Sequence, residues 1–303
     1  MPRSAPSRRA FAVCLPWRRC LRGLSALALG ATLQVAGAAP LLLRVQNGLV
    51  QENEVAMANG AQALANTIGR ASGQRTLWVA HDALGPALVR QPADYAFVKP
   101  PGMSARLLAK GWQLVAVALP PHGFGVDFIA QPCPGHAGSV LLGGPSLSTL
   151  GVRSAAAAQC VPPNRVWKAA GAVLLAPAKG SLVDRVAAKI WRMHADRLPP
   201  TVHVQYQNAV TDFMRLTHAA VVGVVTPLVS AQWRAAGGVV LAHQDMPFWT
   251  LLAAPGVAPA QVDKVRAALL APDAGEMDRA LRVAGWKPGD AQVYADFLRW
   301  LKR

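Results

Sequence analysis

The stretch Asp94-Tyr95-Ala96-Phe97-Val98-Lys99-Pro100 indicates the fold class most directly. Its centre, residues 95–98, is a short aromatic and apolar run, which is typical of a strand that is buried on both faces. A second proline and a glycine follow, and residues 102–110 have the composition of a helix. A buried strand that leads through a short turn into a helix is the repeating unit of α/β proteins.

The same alternation of strands and helices continues on both sides of this stretch. Toward the N-terminus the sequence predicts strands at 41–45 and 76–80 and a helix at 54–70, and after the stretch it predicts strands at 113–118 and 126–130. Beyond residue 168 we expect strands at 171–176, 202–206 and 219–225 and helices at 181–198, 208–216, 260–270, 275–284 and 290–302. Strands that alternate with helices predict parallel sheets that are covered by helices on both faces.

Residues 131–168 interrupt the alternation. They are rich in glycine and proline and contain Cys133 and Cys160, so we interpret them as a loop-rich insertion. In an oxidising compartment such a pair forms a disulfide, which would stabilise the fold by about 3–4 kcal/mol. A metal pair and a catalytic thiol are the alternatives. The chain has no C-x-x-C motif, and we expect no histidine beside the two cysteines and no metal site.

The N-terminus has the pattern of a secretory signal. Residues 1–22 contain six arginines and no acid, residues 23–43 carry no charge, and Ala36-Gly37-Ala38 supplies an A-x-A cleavage site. We therefore predict that residues 1–38 are a cleaved signal peptide and that the protein is periplasmic. An uncleaved membrane anchor is the alternative. Because Ser7-Arg8-Arg9-Ala10-Phe11 resembles a twin-arginine motif, both the Sec and the twin-arginine routes stay open.

Removal of the signal changes the charge of the chain. The whole sequence of 303 residues has a net charge of +16, and residues 39–303 retain 25 basic and 15 acidic residues, a net +10. These charges are dispersed, without a run of lysine and arginine or interleaved aromatic residues, so we expect no nucleic-acid partner. The apolar fraction of 52% excludes a disordered chain.

Catalytic signatures are absent from the sequence. It has no H-E-x-x-H motif, no P-loop and no Rossmann glycine fingerprint, and Gly144-Pro145-Ser146-Leu147-Ser148 lacks the second glycine of a nucleophile elbow. We therefore expect a protein that is not an enzyme and that needs no cofactor.

Three turns between a strand and a helix suggest a binding site for an anion. Polar or basic residues follow three predicted strands: Asn47 and Gln51, then Lys99 and Ser104, then Lys179, Gly180 and Ser181. Unpaired N–H groups and the helix dipole attract anions at such turns, and ligands bind at the carboxyl ends of parallel strands. The alternative is that Ser104 and Ser181 are ordinary helix caps and that the lysines are solvated.

Several segments resemble the phosphonate- and phosphate-type periplasmic solute-binding proteins of ABC transporters. The family pattern D-x-A-F-hydrophobic-x-P is similar to residues 94–100, and other likenesses cover residues 171–182, 206–210, 219–225 and 257–270. The resemblance spans about residues 41–130 and 170–300, and its motifs are loose, so their order carries the evidence.

This resemblance implies a type II periplasmic-binding-protein fold with two α/β lobes, two crossover strands and a helical C-terminus. It implies that residues 39–127 and 241–303 form lobe 1 and residues 128–240 form lobe 2, with ligand bound between them. It adds Tyr206, Asn208 and Thr226 to the predicted ligand-binding residues. The family holds a ligand ammonium with acids where this chain has Asn208 and Thr226, which argues against an amino-bearing phosphonate.

The sequence thus supports two functions of different classes. The first is a monomeric solute-binding protein that captures a small anion for an ABC permease or a membrane sensor. The second is a secreted enzyme or redox-associated factor that reuses the same α/β fold, because a fold does not determine a function.

Overall fold

The computed structural model describes residues 39–46, 54–81, 84–143, 157–218, 220–272 and 275–303. The predicted signal at 1–38 lies outside the described residues, as do Asn47 and Gln51. Residues 38–303 cluster as one compact unit.

The eight strands that the sequence predicted lie close to their predicted positions, and the described residues form five more. In chain order they are β1 (Leu41–Gln46), β2 (Thr76–His81), β3 (Tyr95–Val98), β4 (Gln113–Leu119), β5 (Gly125–Ala130), β6 (Val140–Leu142), β7 (Gln159–Val161), β8 (Leu174–Ala176), β9 (Thr201–His203), β10 (Val222–Val225), β11 (Val239–Asp245), β12 (Thr250–Ala253) and β13 (Gly285–Lys287).

The helices cover the sheets. They are α1 (Glu54–Ser72), α2 (Leu84–Arg90), α3 (Pro101–Leu108), α4 (Leu182–His194), α5 (Gln207–Thr217), α6 (Pro227–Ala235), α7 (Pro259–Leu270), α8 (Gly275–Leu281) and α9 (Ala291–Lys302). Neither α2 nor α6 was predicted from the sequence, and Gly85 and Pro86 near the start of α2 are typical of a turn. A search of the described residues finds no helix that is both long enough and apolar enough to cross a membrane.

The strands form two large sheets. The first has the order β13-β4-β12-β3-β1-β2, and the second has the order β11-β5-β10-β8-β9. In the first sheet β1 is parallel to β2 and β3, and in the second β8 is parallel to β9 and β10. Apolar side chains fill both faces, with Phe97 in the core of the first sheet and Phe128 in the core of the second.

The predicted parallel strands are present, but each sheet also contains antiparallel strands. Strand β12 is antiparallel to β3 and β4, and its first residue, Thr250, lies opposite Val98 and Val117 near the ends of those strands. Strand β5 is antiparallel to β10, with Asp127 opposite Val225. The chain thus enters each sheet at the edge where the parallel strands end, so it can only run back against them.

Two short segments, 120–124 and 246–249, connect the sheets. The strands next to them, β5 and β11, belong to the second sheet along their whole length. The predicted lobe boundaries at 127/128 and 240/241 fall inside these two strands, and the division of the chain into lobes at those residues stays a prediction.

The C-terminal helix α9 contacts both halves of the structure. Tyr294 is buried against Ala105 and Val117 of the first half, and its hydroxyl donates a hydrogen bond to the Phe248 carbonyl at 2.8 Å. One turn later, Phe297 lies in the core of the second sheet. The apolar side chains of this helix therefore pack across the segments that join the sheets.

The insertion contains more regular structure than the sequence predicted. Strands β6 and β7 form a two-stranded antiparallel sheet, and residues Pro163–Lys168 form a 3-10 helix. A disulfide joins Cys133 to Cys160, which confirms the predicted bridge. Residues 144–156, which include the elbow-like stretch at 144–148, lie outside the described residues.

The close packing of side chains around Gly223 in the core of the second sheet can be tested by a substitution. A methyl group at this position of β10 would lie 2.6 Å from Met214 Sδ, 2.8 Å from Ile129 Cγ1 and 2.9 Å from a Val210 methyl. We expect Gly223→Ala to lower the free energy of unfolding by about 1–3 kcal/mol, because an extra methyl in a filled core forces its neighbours to move. Urea unfolding measures this change.

The control for this experiment is Gly256→Ala. A methyl group at Gly256 would meet no atom within 4 Å. We expect this variant to unfold like the parent, and equal losses in the two variants would contradict the packing around Gly223.

Candidate functional site

The candidate site lies where the carboxyl ends of the parallel strands adjoin the two connecting segments. In the first sheet these ends belong to β1 and β3, and in the second they belong to β8, β9 and β10. Because parallel strands end at the same edge of their sheet, the loops that follow these strands lie together at that edge.

Lys99 is buried at the edge of the first sheet. Its side chain is 6% exposed, and its Nζ lies 4.5 Å from the centroid of the Trp249 ring, which is the geometry of a cation–π contact. Lys99 lines a cavity of about 20 Å³ together with Arg282, Phe97 and the first turns of α1. This volume has room for about one water. The edge of the first sheet therefore presents two cationic side chains beside the beginning of a helix.

Ser104 points into the core instead of toward the edge. Its side chain is completely buried, and its hydroxyl forms a 2.8 Å hydrogen bond with the Thr250 hydroxyl. The bond connects α3 to the first residue of β12, so in this structure Ser104 joins two elements of the first half.

The loop after β8 brings three predicted residues together at the beginning of α4. Ser181 is the N-cap, and its Oγ accepts a hydrogen bond from the Asp184 N–H at 3.2 Å. Gly180 precedes it with φ +77°, a conformation that favours glycine. Lys179 is exposed. The geometry therefore agrees with the alternative interpretation, in which Ser181 is an ordinary helix cap.

The carboxylate of Asp184, which was not among the predicted site residues, already lies at this helix N-terminus. Asp184 Oδ2 accepts a hydrogen bond from the Gly180 N–H at 2.8 Å, and Asp184 Oδ1 lies 3.0 Å from His203 Nε2 at the end of β9. The S-x-x-D spacing of Ser181 and Asp184 is a capping-box signal that could have indicated this arrangement. An anionic ligand would have to share the α4 N-terminus with this carboxylate.

The remaining predicted residues lie at the ends of β9 and β10. The Gln207 side-chain oxygen accepts a hydrogen bond from the Thr226 N–H at 3.1 Å, so the loops that carry Tyr206, Asn208 and Thr226 are joined. Tyr206 is exposed, with 37% of its surface accessible. The structure thus brings the predicted residues of the second half to one edge of the sheet.

A hydrogen-bonded cluster at the same edge was not predicted. Asp127 on β5 is 4% exposed, accepts a hydrogen bond from the Ser230 hydroxyl, and lies 2.5 Å from His243 Nδ1. The other ring nitrogen of His243 lies 2.9 Å from Asp245 Oδ1. These residues come from β5, α6 and β11, and Asp127 and His243 are 116 positions apart, so no local motif could have indicated their contact.

This cluster does not have the geometry of a catalytic triad. In a triad the histidine accepts the proton of the serine, whereas here the Ser230 hydroxyl donates to the Asp127 carboxylate. Both nitrogens of His243 face carboxylates, so neither is directed at the serine.

The two carboxylates change the protonation of His243. Partial burial lowers its pKa, but hydrogen bonds and charge interactions with Asp245 and Asp127 outweigh burial, so that the pKa is raised above the ordinary value of 6.5. The imidazolium form can donate one hydrogen bond to each carboxylate.

The insertion also places a histidine where the sequence predicted none. His136 Nδ1 lies 3.6 Å from Cys160 Sγ. One ligand atom from each of Cys133, His136 and Cys160 lies within 4.8 Å of the others. The expectation that no histidine lies beside the cysteines is therefore wrong, although Cys133-Pro134-Gly135-His136 was visible as a C-x-x-H spacing.

A cavity of about 740 Å³ lies beside the two connecting segments. It is lined by Phe124 and Met246 from these segments, by Tyr294 and Phe297 of α9, and by Asp245. Among the predicted ligand-binding residues that the structure describes, none lines this cavity.

Comparisons with known proteins support the fold. No protein-family model and no curated protein matches the chain. Among solved structures, XAC2383 from Xanthomonas citri bound to ATP is 13% identical, with 88% of this chain and 98% of that chain covered and a TM-score of 0.59. PhnD1 from Prochlorococcus marinus in complex with methylphosphonate is 9% identical, with coverages of 87% and 98% and a TM-score of 0.57. A TctC solute binding protein from Polaromonas is 12% identical, with coverages of 87% and 95% and a TM-score of 0.55.

These likenesses, together with the two sheets and two connecting segments, show the type II periplasmic-binding-protein fold. The predicted fold class is confirmed. At 9–13% identity, the likeness to these structures shows the fold alone.

The His243 cluster predicts how stability depends on pH. Because the pKa of His243 is raised in the folded state, its contribution to stability is complete below the unfolded value of about 6.5 and is lost as the pH rises through the folded value. We expect the parent protein to lose unfolding free energy over this window and His243→Gln to lose less. Urea unfolding at a series of pH values measures the difference.

His122→Gln is the matched control, because His122 is exposed and lies outside the cluster. It should reproduce the parent's pH dependence. If His243→Gln retained the full decline above pH 6.5, the stabilising role of the protonated ring would be refuted.

Proposed function

We propose that this protein is a periplasmic solute-binding protein that captures a small anion, of the phosphate or phosphonate kind, between two lobes. The observation that carries the proposal is the pair of cationic side chains, Lys99 and Arg282, that line one cavity beside the beginning of α1. Because the cavity holds about one water, the ligand would meet these cations at the mouth of the cavity. Arg282 is exposed there.

In the second lobe, Lys179 would supply charge to the ligand. Asp184 already accepts the Gly180 N–H, so the α4 N-terminus has less capacity for a second anion. The exposed Lys179 ammonium has no such competitor in its own loop, and Tyr206 and Thr226 lie at the same edge with hydroxyl groups that can donate to a ligand oxygen. In this proposal Ser181 supports the loop as a cap.

Closure of the lobes would complete the site. Ligands of two-lobed binding proteins lie between the lobes and are enclosed by a hinge motion. The segments 120–124 and 246–249 would form the hinge, with α9 packed across them. Asn47 and Gln51 would add polar groups from the turn after β1.

We also propose where the protein is located in the cell and which kind of protein receives its ligand. Cleavage after residue 38 would release the protein into the periplasm, where the disulfide is maintained. An ABC permease or a membrane sensor would receive the loaded form. The complex of PhnD1 with methylphosphonate supports phosphonates as the first ligands to test.

A thermal-shift screen tests the proposal. The purified protein is heated with phosphate, phosphite, methylphosphonate, sulfonates or carboxylates at matched ionic strength. We expect at least one anion to raise the apparent melting temperature, because a ligand that binds only the folded state stabilises it by mass action. The absence of a shift with every anion would refute the anion-binding function.

Lys99→Gln tests the cationic edge with the anion that gives the largest shift. Loss of the buried ammonium should weaken binding about tenfold or more, since a charge-assisted hydrogen bond contributes about 1.5–3 kcal/mol. Isothermal titration calorimetry measures the dissociation constant. Lys110→Gln, which changes an exposed lysine beyond α3, is the control. Equal affinity in the two variants would place the site elsewhere.

A second pair of variants tests the contribution of lobe 2. The double variant Lys179→Ala/Ser181→Ala should lose the thermal shift. Ser181→Ala alone should lower stability by about 1 kcal/mol through loss of the cap while it retains most of the shift. Lys168→Ala changes an exposed lysine before β8, away from the carboxyl edge, and should behave like the parent. A full shift in the double variant would exclude Lys179 from the site.

A further inference from the structure

The disulfide of the insertion has a histidine beside it, and the three side chains converge. Cys133, His136 and Cys160 each direct one potential ligand atom into a region less than 5 Å across, with all pairs within 4.8 Å. Cys133 is 7% exposed, whereas His136 and Cys160 are exposed to solvent. The group is therefore accessible on one side and anchored on the other.

Backbone hydrogen bonds hold the cluster in place. The Cys133 N–H donates to the Ser139 carbonyl at 2.9 Å, and the Ser139 N–H donates to the His136 carbonyl at 3.1 Å. Gly135, between the first two ligands, takes a φ of +72°, so the turn that joins them closes without strain. The third ligand, Cys160, comes from β7, which pairs with β6. The positions of the three side chains thus do not depend on the disulfide alone.

We propose that reduction of the Cys133–Cys160 disulfide converts this cluster into a binding site for Zn²⁺. Two thiolates and one imidazole are a ligand set that zinc prefers, and a water molecule would complete a tetrahedron. While the disulfide is intact, neither sulfur is a thiolate, so the oxidised protein lacks two of the three ligands. The site is therefore available only in the reduced protein.

The chemical steps balance with an external thiol as the reductant. One thiolate attacks Cys160 Sγ, which is the exposed sulfur, and the disulfide breaks with Cys133 as the leaving thiolate. A second external thiolate attacks the sulfur of the first, which releases Cys160 as a thiolate and forms the external disulfide. Zn²⁺ then binds both cysteine sulfurs and displaces any protons that they carry.

The proposed zinc site lies far from the proposed anion-binding site. Cys133 follows the end of β5, which runs antiparallel to β10, so the cluster lies at the opposite edge of the second sheet from Thr226 and the α4 N-terminus. Loss of the metal site should therefore leave anion binding unchanged, and the two proposals can fail separately.

Cobalt titration tests the proposal on the purified protein. The protein is reduced with dithiothreitol, freed of reductant without oxygen and titrated with Co²⁺, and Zn²⁺ is then added to displace the cobalt. We expect one equivalent of Co²⁺ to produce a thiolate-to-cobalt charge-transfer band that Zn²⁺ abolishes. The oxidised protein should give no band. Equal binding by both forms, or no binding by the reduced form, would overturn the proposal.

Matched variants identify the ligands. His136→Gln should weaken Zn²⁺ binding about tenfold or more. His122→Gln changes another exposed histidine and should bind like the parent. The double variant Cys133→Ser/Cys160→Ser should lose the charge-transfer band. Unchanged affinity in His136→Gln would overturn the assignment.

Circular dichroism measures whether reduction of the disulfide unfolds the chain. If the reduced protein loses its helical signal and regains it with Zn²⁺, the metal binds the folded form, which supports the proposal. If the signal does not return, the reduced protein has no preformed zinc site and the proposal is wrong.

Discussion

The chain passes between the two sheets at the edges where their parallel strands end, and most other features depend on this constraint. Thr250 begins β12 beside the end of β3, and Asp127 near the beginning of β5 lies beside the end of β10. Each returning strand must therefore run antiparallel to its neighbours. The loops that carry Lys99, Lys179 and Thr226 are also brought to the two edges that adjoin the connecting segments.

Electrostatics at these edges are more balanced than the basic composition indicates. The first sheet contributes Lys99 and Arg282, whereas the second contributes Asp127, Asp184 and Asp245, each beside a histidine. Protonation of His243 adds a positive charge between Asp127 and Asp245 at the second edge. A ligand between the lobes would therefore meet a cationic surface on one side and a titratable surface on the other.

Local sequence patterns predicted the elements well and the contacts between them poorly. The stretch around Phe97 has the apolar run of a buried strand, and the even pair of cysteines in a chain with a predicted export signal indicated the disulfide. Ser181 was recognisable as a cap, but its partner Asp184 was overlooked although the capping-box spacing was present. The contact between Asp127 and His243 had no local signal, because a separation of 116 residues leaves no periodicity to detect.

The sequence by itself determined most of the helices, the strands of the two parallel cores and the pairing of the two cysteines, because burial pattern, turn residues and cysteine number act locally or through composition. Only the tertiary structure decided strand direction, the burial of Ser104 and the meeting of His136 with two sulfurs. These outcomes depend on where the chain re-enters a sheet and which side chains then approach one another. Contacts of this kind are made between residues that are far apart in the sequence, and short-range propensities do not encode them.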